Sequence, residues 1–219
     1  MKVSEWLEIP PGAGAGLEGT GPIGWASREL VEPKTDRFHH LIIRQYVAEV
    51  DDYEFIESNN FGLFPKGIRH GYLIEEYGGS DIEVYVVDCP EEMAKLAPLE
   101  LIHYGKVAYD FITTSRFIAQ LPRVLCKMVV SEHRIRKLRP SDFNYKPDRV
   151  FQCIEALWTA YASVGVPLFP PGWAPLPAAI RQSILDGLIK VYWKGVLPRK
   201  TDEGLVGYAV CHFFSQQTP

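Results

Sequence analysis

The chain has 219 residues and a formal net charge of -4, with 47% hydrophobic and 23% charged residues. A chain of this length and balance can bury an apolar core, which excludes a disordered or fibrous protein and favours a folded enzyme or binding domain. Because the net charge is negative, the chain lacks the positive field that attracts phosphate backbones, and we expect no nucleic-acid partner.

The four cysteines lie far apart along the chain and form no C-x-x-C pair. Their spacing suggests neither a metal site nor a disulfide framework, so we expect no metal and no cofactor. The first residues carry acids and lack a continuous apolar run, and no window approaches the roughly 20 apolar residues that span a bilayer. The sequence therefore predicts a cytoplasmic protein without a transmembrane segment, and it leaves the oligomeric state open.

The first half of the chain has the composition of a β-sheet. Residues 10–22 are dominated by glycine and proline, which predicts an irregular approach segment. Residues 40–47 are rich in β-branched and aromatic types, and residues 53–58 alternate after a turn signal, which together predict a β-hairpin. Further strands are expected over residues 71–74 and 82–88.

The second half carries helical patterns. Pro90 and two acids in the following turn predict a helix that runs to about residue 104. An apolar stretch over residues 117–130 contains Pro122, which predicts an interrupted helix. Residues 150–164 place apolar side chains at spacings of three and four, as in an amphipathic helix. After a proline-rich break, a last helix is predicted over residues 178–193.

Cys153 lies near the start of the predicted amphipathic helix, where the helix dipole and the free N–H groups favour a thiolate nucleophile. A cysteine on an apolar stripe is, however, more often a buried structural thiol. The context changes this balance, because His40 begins one predicted hairpin strand and Glu57 lies on the inward face of the next. A buried carboxylate needs a partner, and an imidazole on the neighbouring strand would supply one.

These residues resemble the permuted NlpC/P60 group of papain-like cysteine hydrolases, the YiiX/YaeF-like amidases. In that group a strand of the type Ser-His-Val-Gly-Ile comes first and a helix beginning Cys-Ser-Glu comes last. This chain reads Phe-His-His-Leu-Ile-Ile over residues 38–43 and Cys-Ile-Glu over residues 153–155. Between them, residues 55–58 resemble the group's Val-Ile-Glu-Ala strand, residues 67–69 its Gly-Val-Arg, and residues 105–110 its Gly-x-x-Tyr-Asp.

The resemblance implies a fold and a domain organisation. It covers residues 19–165 and implies an α+β, papain-like, circularly permuted fold with a central antiparallel sheet flanked by helices. We expect one domain over residues 1–219. Its motif-bearing core would be followed by a helical C-terminal extension over residues 166–219.

The resemblance also implies a catalytic set in the chain order histidine, acid, cysteine. Cys153 would be the nucleophile, His40 the base and Glu57 the residue that orients the base, with the backbone N–H of Cys153 as an oxyanion donor. His39 is a rival for His40, because neighbouring residues of a strand point to opposite faces and only one of the two can meet Cys153.

The expected activity is that of a cysteine amidase or peptidase acting through a Cys153 thioester. The resemblance implies a small peptide or a peptidoglycan fragment as the first substrate class. A lipid-like substrate comes second, with hydrolysis or transfer of an acyl group on the same site, because the C-terminal third is apolar. A catalytically silent binding protein with this scaffold remains the alternative of a different class.

Overall fold

The structure is a computed structural model of the chain. It describes residues 3, 7–18, 25, 28–59, 67–104, 111–132, 135–143, 145, 152–201 and 204–206. The Gly-x-x-Tyr-Asp motif predicted at residues 105–110 lies outside these residues.

A six-stranded antiparallel sheet forms the centre of the fold, in the order β4-β3-β2-β1-β5-β6. The strands are β1 (Gly14–Glu18), β2 (Arg37–Val47), β3 (Asp52–Asn59), β4 (Gly67–Tyr72), β5 (Asp81–Val87) and β6 (Ile189–Val196). A second sheet is a small hairpin of β7 (Arg199–Thr201) and β8 (Gly204–Val206). With the helices, this arrangement makes an α+β fold, as predicted.

Five α-helices accompany the sheet among the described residues. They are α1 (Leu73–Tyr77), α2 (Glu91–His103), α3 (Phe111–Lys127), α4 (Cys153–Ser163) and α5 (Pro177–Leu185), and a π-helical turn over Met128–Glu132 follows α3. None of the described helices has the length and apolar character that a membrane crossing requires.

Apolar side chains fill both faces of the sheet. On one face, α2, α4 and α5 bury a cluster that includes Ile42, Ile56, Leu157 and Cys153 itself. On the other face, N-terminal residues and α1 cover a second cluster that includes Leu41 and Phe55. The alternation of a strand produces this division, because successive side chains of β2 and β3 point to opposite faces.

Several predicted elements are confirmed. The hairpin is formed by β2 and β3, with Ile42 opposite Ile56. The helix that starts after Pro90 is α2, and the amphipathic helix is α4. Pro122 does not interrupt α3, so that prediction is wrong. Val124 and Met128, which follow the proline, pack with Phe143 in a small apolar cluster, and their burial stabilises the helix beyond the proline.

The N-terminal segment contradicts its prediction, because five of its glycine-rich residues form β1 between β2 and β5. A side chain on Gly14 would overlap the ring of Tyr85. A Cβ on Gly16 would lie 3.2 Å from Cε1 of His40, closer than a normal contact. Glycine is therefore needed in this central strand because neighbouring rings occupy the space over it.

The C-terminal part also differs from its prediction, because the last helix ends with α5 and the chain continues as β6. Gly187 turns the chain with a φ of 78°. Leu188 and Tyr192, which helical spacing placed on a buried stripe, are 46% and 42% exposed, whereas Ile189 and Trp193 are buried. This region supplies an edge strand of the main sheet rather than a helical extension.

β4 ends at Tyr72, whereas the sequence predicts that this strand continues to residue 74. Leu73 begins the short helix α1, whose N-terminus is capped from the neighbouring strand. The carboxylate of Asp52 accepts hydrogen bonds from the backbone N–H groups of Ile74 at 2.9 Å and Glu75 at 3.0 Å. A cap supplied from so far along the chain leaves no local signal in the sequence.

Candidate active site

Cys153 is the first residue of α4 and lies against β2. It is buried, with 5% of its surface exposed, and its Sγ is 3.8 Å from the carbonyl oxygen of Phe38, to which the thiol donates. Gln152 precedes the helix in an extended conformation and makes no side-chain cap. The first N–H groups of α4 are consequently not satisfied by a cap at the position where the sulfur lies.

His39 joins the cysteine to the carboxylate. Its Nε2 lies 2.6 Å from Oε2 of Glu57, and its ring is close enough to Cys153 for that side chain to raise the pKa of His39. The imidazole is partly exposed, with 21% of the side chain accessible, whereas the Glu57 side chain is fully buried. The three side chains thus form a continuous Cys153, His39, Glu57 chain of contacts.

His40 does not take the position predicted for it. Its side chain is buried on the face of β2 that carries Ile42, opposite to the face of His39, and its Nδ1 lies 2.9 Å from the hydroxyl of Tyr85. The predicted contact between His40 and Glu57 is made by His39 instead. The physical reason is strand alternation combined with the register of the hairpin, which places residue 39 and residue 57 on a shared face.

Four side chains form hydrogen bonds with the carboxylate of Glu57. Its Oε2 accepts hydrogen bonds from His39 and, at 2.8 Å, from the hydroxyl of Tyr77. Its Oε1 accepts from Asn59 at 2.6 Å and from Nε of Arg69 at 2.8 Å. Burial by itself would raise the pKa of Glu57, but the hydrogen bonds and positive charges around it outweigh burial and lower that pKa. The carboxylate is therefore ionised at neutral pH.

The four side chains that bind Glu57 form a cage around its carboxylate. Three of them, Arg69, Tyr77 and Asn59, were not identified as site residues from the sequence. Arg69 lies directly opposite Glu57 on β4 and also pairs with Glu76. It belongs to the Gly-x-Arg motif of the resemblance, so that motif was the available signal. Tyr77 comes from α1, which the sequence did not predict, and Asn59 carries no distinguishing pattern.

The two adjacent histidines have opposite charge states. Burial disfavours the charged form of His39, but hydrogen bonds and charges of Cys153 and Glu57 outweigh it and raise the pKa of His39 to about 10. For His40, burial and the positive charge of His39 lower the pKa to about 3. At neutral pH, His39 is consequently an imidazolium and His40 a neutral ring.

The opposite pKa shifts of His39 and His40 predict how these two residues contribute to stability. Because the pKa of folded His40 is lowered, the unfolded chain binds a proton that the native state does not, and stability falls as pH drops from about 6.5 towards 3. Because the pKa of folded His39 is raised, its contribution is complete below pH 6.5 and is lost as pH rises towards 10. The combined contribution of the two residues peaks near pH 6.5.

Denaturant unfolding of the wild type and of His40→Asn tests the acid side of this peak. Asparagine keeps a polar nitrogen near Tyr85 but gains no proton. Between pH 6.5 and about pH 4, we expect the wild type to lose on the order of 2 kcal/mol more than the variant. Parallel losses in the two proteins would contradict a neutral buried His40.

The surroundings of the sulfur also offer hydrogen-bond donors. Gln152 is buried, and its Nε2 has no hydrogen-bond partner in the part of the chain that the structure describes. The backbone N–H of Cys153 begins α4, where the helix dipole is positive. Among the described residues, no group of three or more histidine, cysteine or acidic side chains is arranged to hold a metal ion.

Comparison with models of known protein families gave no match, and a search of curated proteins gave no relative. The likeness to the permuted NlpC/P60 group therefore rests on the residues quoted above.

Proposed function

We propose that this protein is a cysteine hydrolase of the permuted papain-like type, in which Cys153 is the nucleophile, His39 the base and Glu57 the residue that orients His39. The observation that carries the proposal is the position of the His39 ring, which contacts Cys153 on one side and Glu57 on the other. The packing of α4 against an antiparallel sheet supports the papain-like interpretation. The chain order histidine, acid, cysteine supports the permuted one.

The charge pattern supports catalysis more than a structural role. A neutral buried thiol needs no imidazolium beside it, and a charged ring in that place must be stabilised by counter-charges. Here Glu57 is itself fixed by Arg69 and Tyr77, so the ring cannot rotate without breaking its hydrogen bond to the carboxylate. Such a ring can return repeatedly to the same position during a two-step acyl transfer.

In the proposed reaction, the Cys153 thiolate attacks the carbonyl carbon and forms an S–C bond. His39 then donates a ring proton to the leaving nitrogen as the C–N bond breaks, which leaves a thioester on Cys153. Neutral His39 next removes a proton from water, whose oxygen attacks the thioester and releases the acid and the thiolate. Glu57 accepts the Nε2–H bond throughout and stabilises the charged ring.

The oxyanion formed in each step would lie beside the N-terminus of α4. The backbone N–H of Cys153 is the first donor, as in the sequence-based expectation, and the side-chain amide of Gln152 is a second candidate. A buried amide N–H without a partner is costly in a resting protein, and an oxyanion would satisfy it.

For the substrate, amides in small peptides or peptidoglycan fragments remain our first proposal, and acyl groups of lipid-like substrates the second. The same thioester would serve a transferase if an amine or alcohol replaced water. A scaffold that only binds ligands would retain the fold but would form no acyl-enzyme.

Acylation of the intact protein tests the proposal directly. With p-nitrophenyl acetate as an activated acyl donor, we expect intact-mass spectra to show one acetyl group, mapped by peptide analysis to Cys153. Cys153→Ser should remove this fast acetylation. Cys126→Ser should not, because Cys126 is exposed and is not one of the groups that mainly set the pKa of His39 or of Glu57. Equal acetylation of Cys89, Cys126 and Cys153 would contradict the proposal and favour a binding protein.

A further inference from the structure

The end of α3 and the π-helical turn that continues it expose apolar side chains, although their inward side packs on the protein. Val124 and Met128 are buried beside Phe143. Leu125 and Val129 each follow one member of this buried pair, so the rotation of the helix carries them towards the outside. They are 41% and 51% exposed. The helix is thus anchored on one side and presents apolar surface on the other.

Two further apolar side chains extend this surface. Val130 in the π-helical turn is 65% exposed, and Ile135 is 72% exposed. Arg136 fixes the segment that carries Ile135, because its guanidinium pairs with Glu132 at 2.9 Å and with Asp142 at 2.7 Å. Scattered single apolar residues are normal on a surface, but a contiguous group marks an interaction surface. We call this group the outer apolar face: Leu125, Val129, Val130 and Ile135.

Three cations border the outer apolar face. Arg123 and Lys127 lie one turn apart on the other flank of the helix, and Lys137 follows Ile135 by two residues. All three are exposed, and none of them forms an ion pair within the part of the chain that the structure describes. The two acids between residues 123 and 142 are already bound by Arg136. The border of the apolar face is therefore positively charged.

We propose that the outer apolar face lies on the surface of a lipid bilayer that contains anionic lipids. An apolar stripe flanked by lysine and arginine suits this position, because the apolar side chains enter the boundary of the acyl chains while the cations reach the lipid phosphates. A second copy of the chain fits less well. A two-fold interface places a patch against itself, so it would bring the same cations of both copies into one contact.

Co-sedimentation of the full chain with vesicles tests this proposal. We expect binding to vesicles of phosphatidylcholine mixed with phosphatidylserine, weak binding to phosphatidylcholine alone, and release as the salt concentration rises. Joint replacement by Arg123→Gln and Lys127→Gln should weaken binding to the mixed vesicles by roughly tenfold or more. Joint replacement by Val129→Ser and Val130→Ser should weaken it by roughly tenfold, because less apolar surface is buried.

Matched variants change similar residues elsewhere on the surface. Leu185→Ser with Val196→Ser removes two apolar side chains that are equally exposed. Lys95→Gln with Lys190→Gln removes two exposed lysines that pair with other acids. Both double variants should bind like the wild type. Cys153→Ala should also bind like the wild type, which separates this inference from the proposed function.

Three results would overturn the proposal. They are an absence of binding to the mixed vesicles, equal binding to both kinds of vesicle, and an equal loss of binding in the matched variants. Size-exclusion chromatography supplies a fourth. A dimer that Val129→Ser with Val130→Ser converts to a monomer, without any vesicle binding, would assign the outer apolar face to a second copy of the chain. Urea unfolding of each variant confirms that the compared proteins are folded.

Discussion

Replacement of His39 by alanine should slow the alkylation of Cys153 by iodoacetamide at mildly acidic pH by roughly a hundredfold or more, the usual scale of a positioned acid or base. An ordinary thiol, with a pKa of about 8.5, is almost entirely protonated under these conditions. In the wild type, the His39 ring, whose pKa Cys153 and Glu57 raise to about 10, lies beside Cys153 and is positioned to exchange a proton in the proposed reaction. Alanine removes the side chain that exchanges this proton.

The matched variant is His40→Asn, which alters the adjacent residue on the opposite face of β2. Because His40 contacts Tyr85 and is neutral, we expect the labelling of Cys153 in this variant to stay within a few-fold of the wild type. The exposed Cys126 provides an internal reference for thiol chemistry in every sample. Slow labelling in His40→Asn with normal labelling in His39→Ala would reverse the assignment of the base.

Replacement of Glu57 should have the largest effect on stability. Glu57→Gln keeps the size of the side chain but removes the charge that balances Arg69 and His39, and the amide brings N–H groups to where Tyr77 and Asn59 donate. Breaking a buried ion pair from one side typically costs about 3–5 kcal/mol. Since Arg69 keeps its contact with Glu76, we expect a loss of about 2–4 kcal/mol in the free energy of unfolding.

Urea unfolding at neutral pH measures this loss, and Glu54→Gln is the control. Glu54 lies on the same strand and pairs with Arg44 and His70, but nearer the surface. Its substitution should cost no more than about 1 kcal/mol. Labelling of Cys153 should also slow in Glu57→Gln, measured under conditions in which the variant is folded. An unchanged stability would mean that the cage around Glu57 contributes nothing net.

Local sequence pattern was sufficient to predict part of the secondary structure around the site. Alternation predicted the hairpin of β2 and β3, and three-and-four spacing predicted α4 with Cys153 at its start. The same alternation placed Glu57 on the inward face of its strand, where a buried carboxylate needs a partner. The contact between the hairpin acid and a neighbouring imidazole could thus be anticipated without a structure.

Local sequence pattern could not predict the features that depend on tertiary packing. The choice between His39 and His40 depends on where the start of α4 meets β2, and that depends on the packing of a helix more than a hundred residues later. β1 was unrecognisable because its glycines reflect the rings of Tyr85 and His40 above them, not the turn propensity of glycine. The α5 to β6 transition was missed because the apolar residues of the strand also fit a helical spacing across Gly187.

The tandem histidines make strand register a determinant of chemistry. His39 lies opposite Leu17 of β1, and His40 lies opposite Gly16. A slip of one residue in β2 would reverse every side chain of the strand, so His39 would enter the core and His40 would reach the carboxylate side. Such a misregistered conformer would keep its helix and strand content and look native by circular dichroism. It would differ in which nitrogen, if any, faces the sulfur, so thiol reactivity reports folding errors in this protein that secondary-structure measurements overlook.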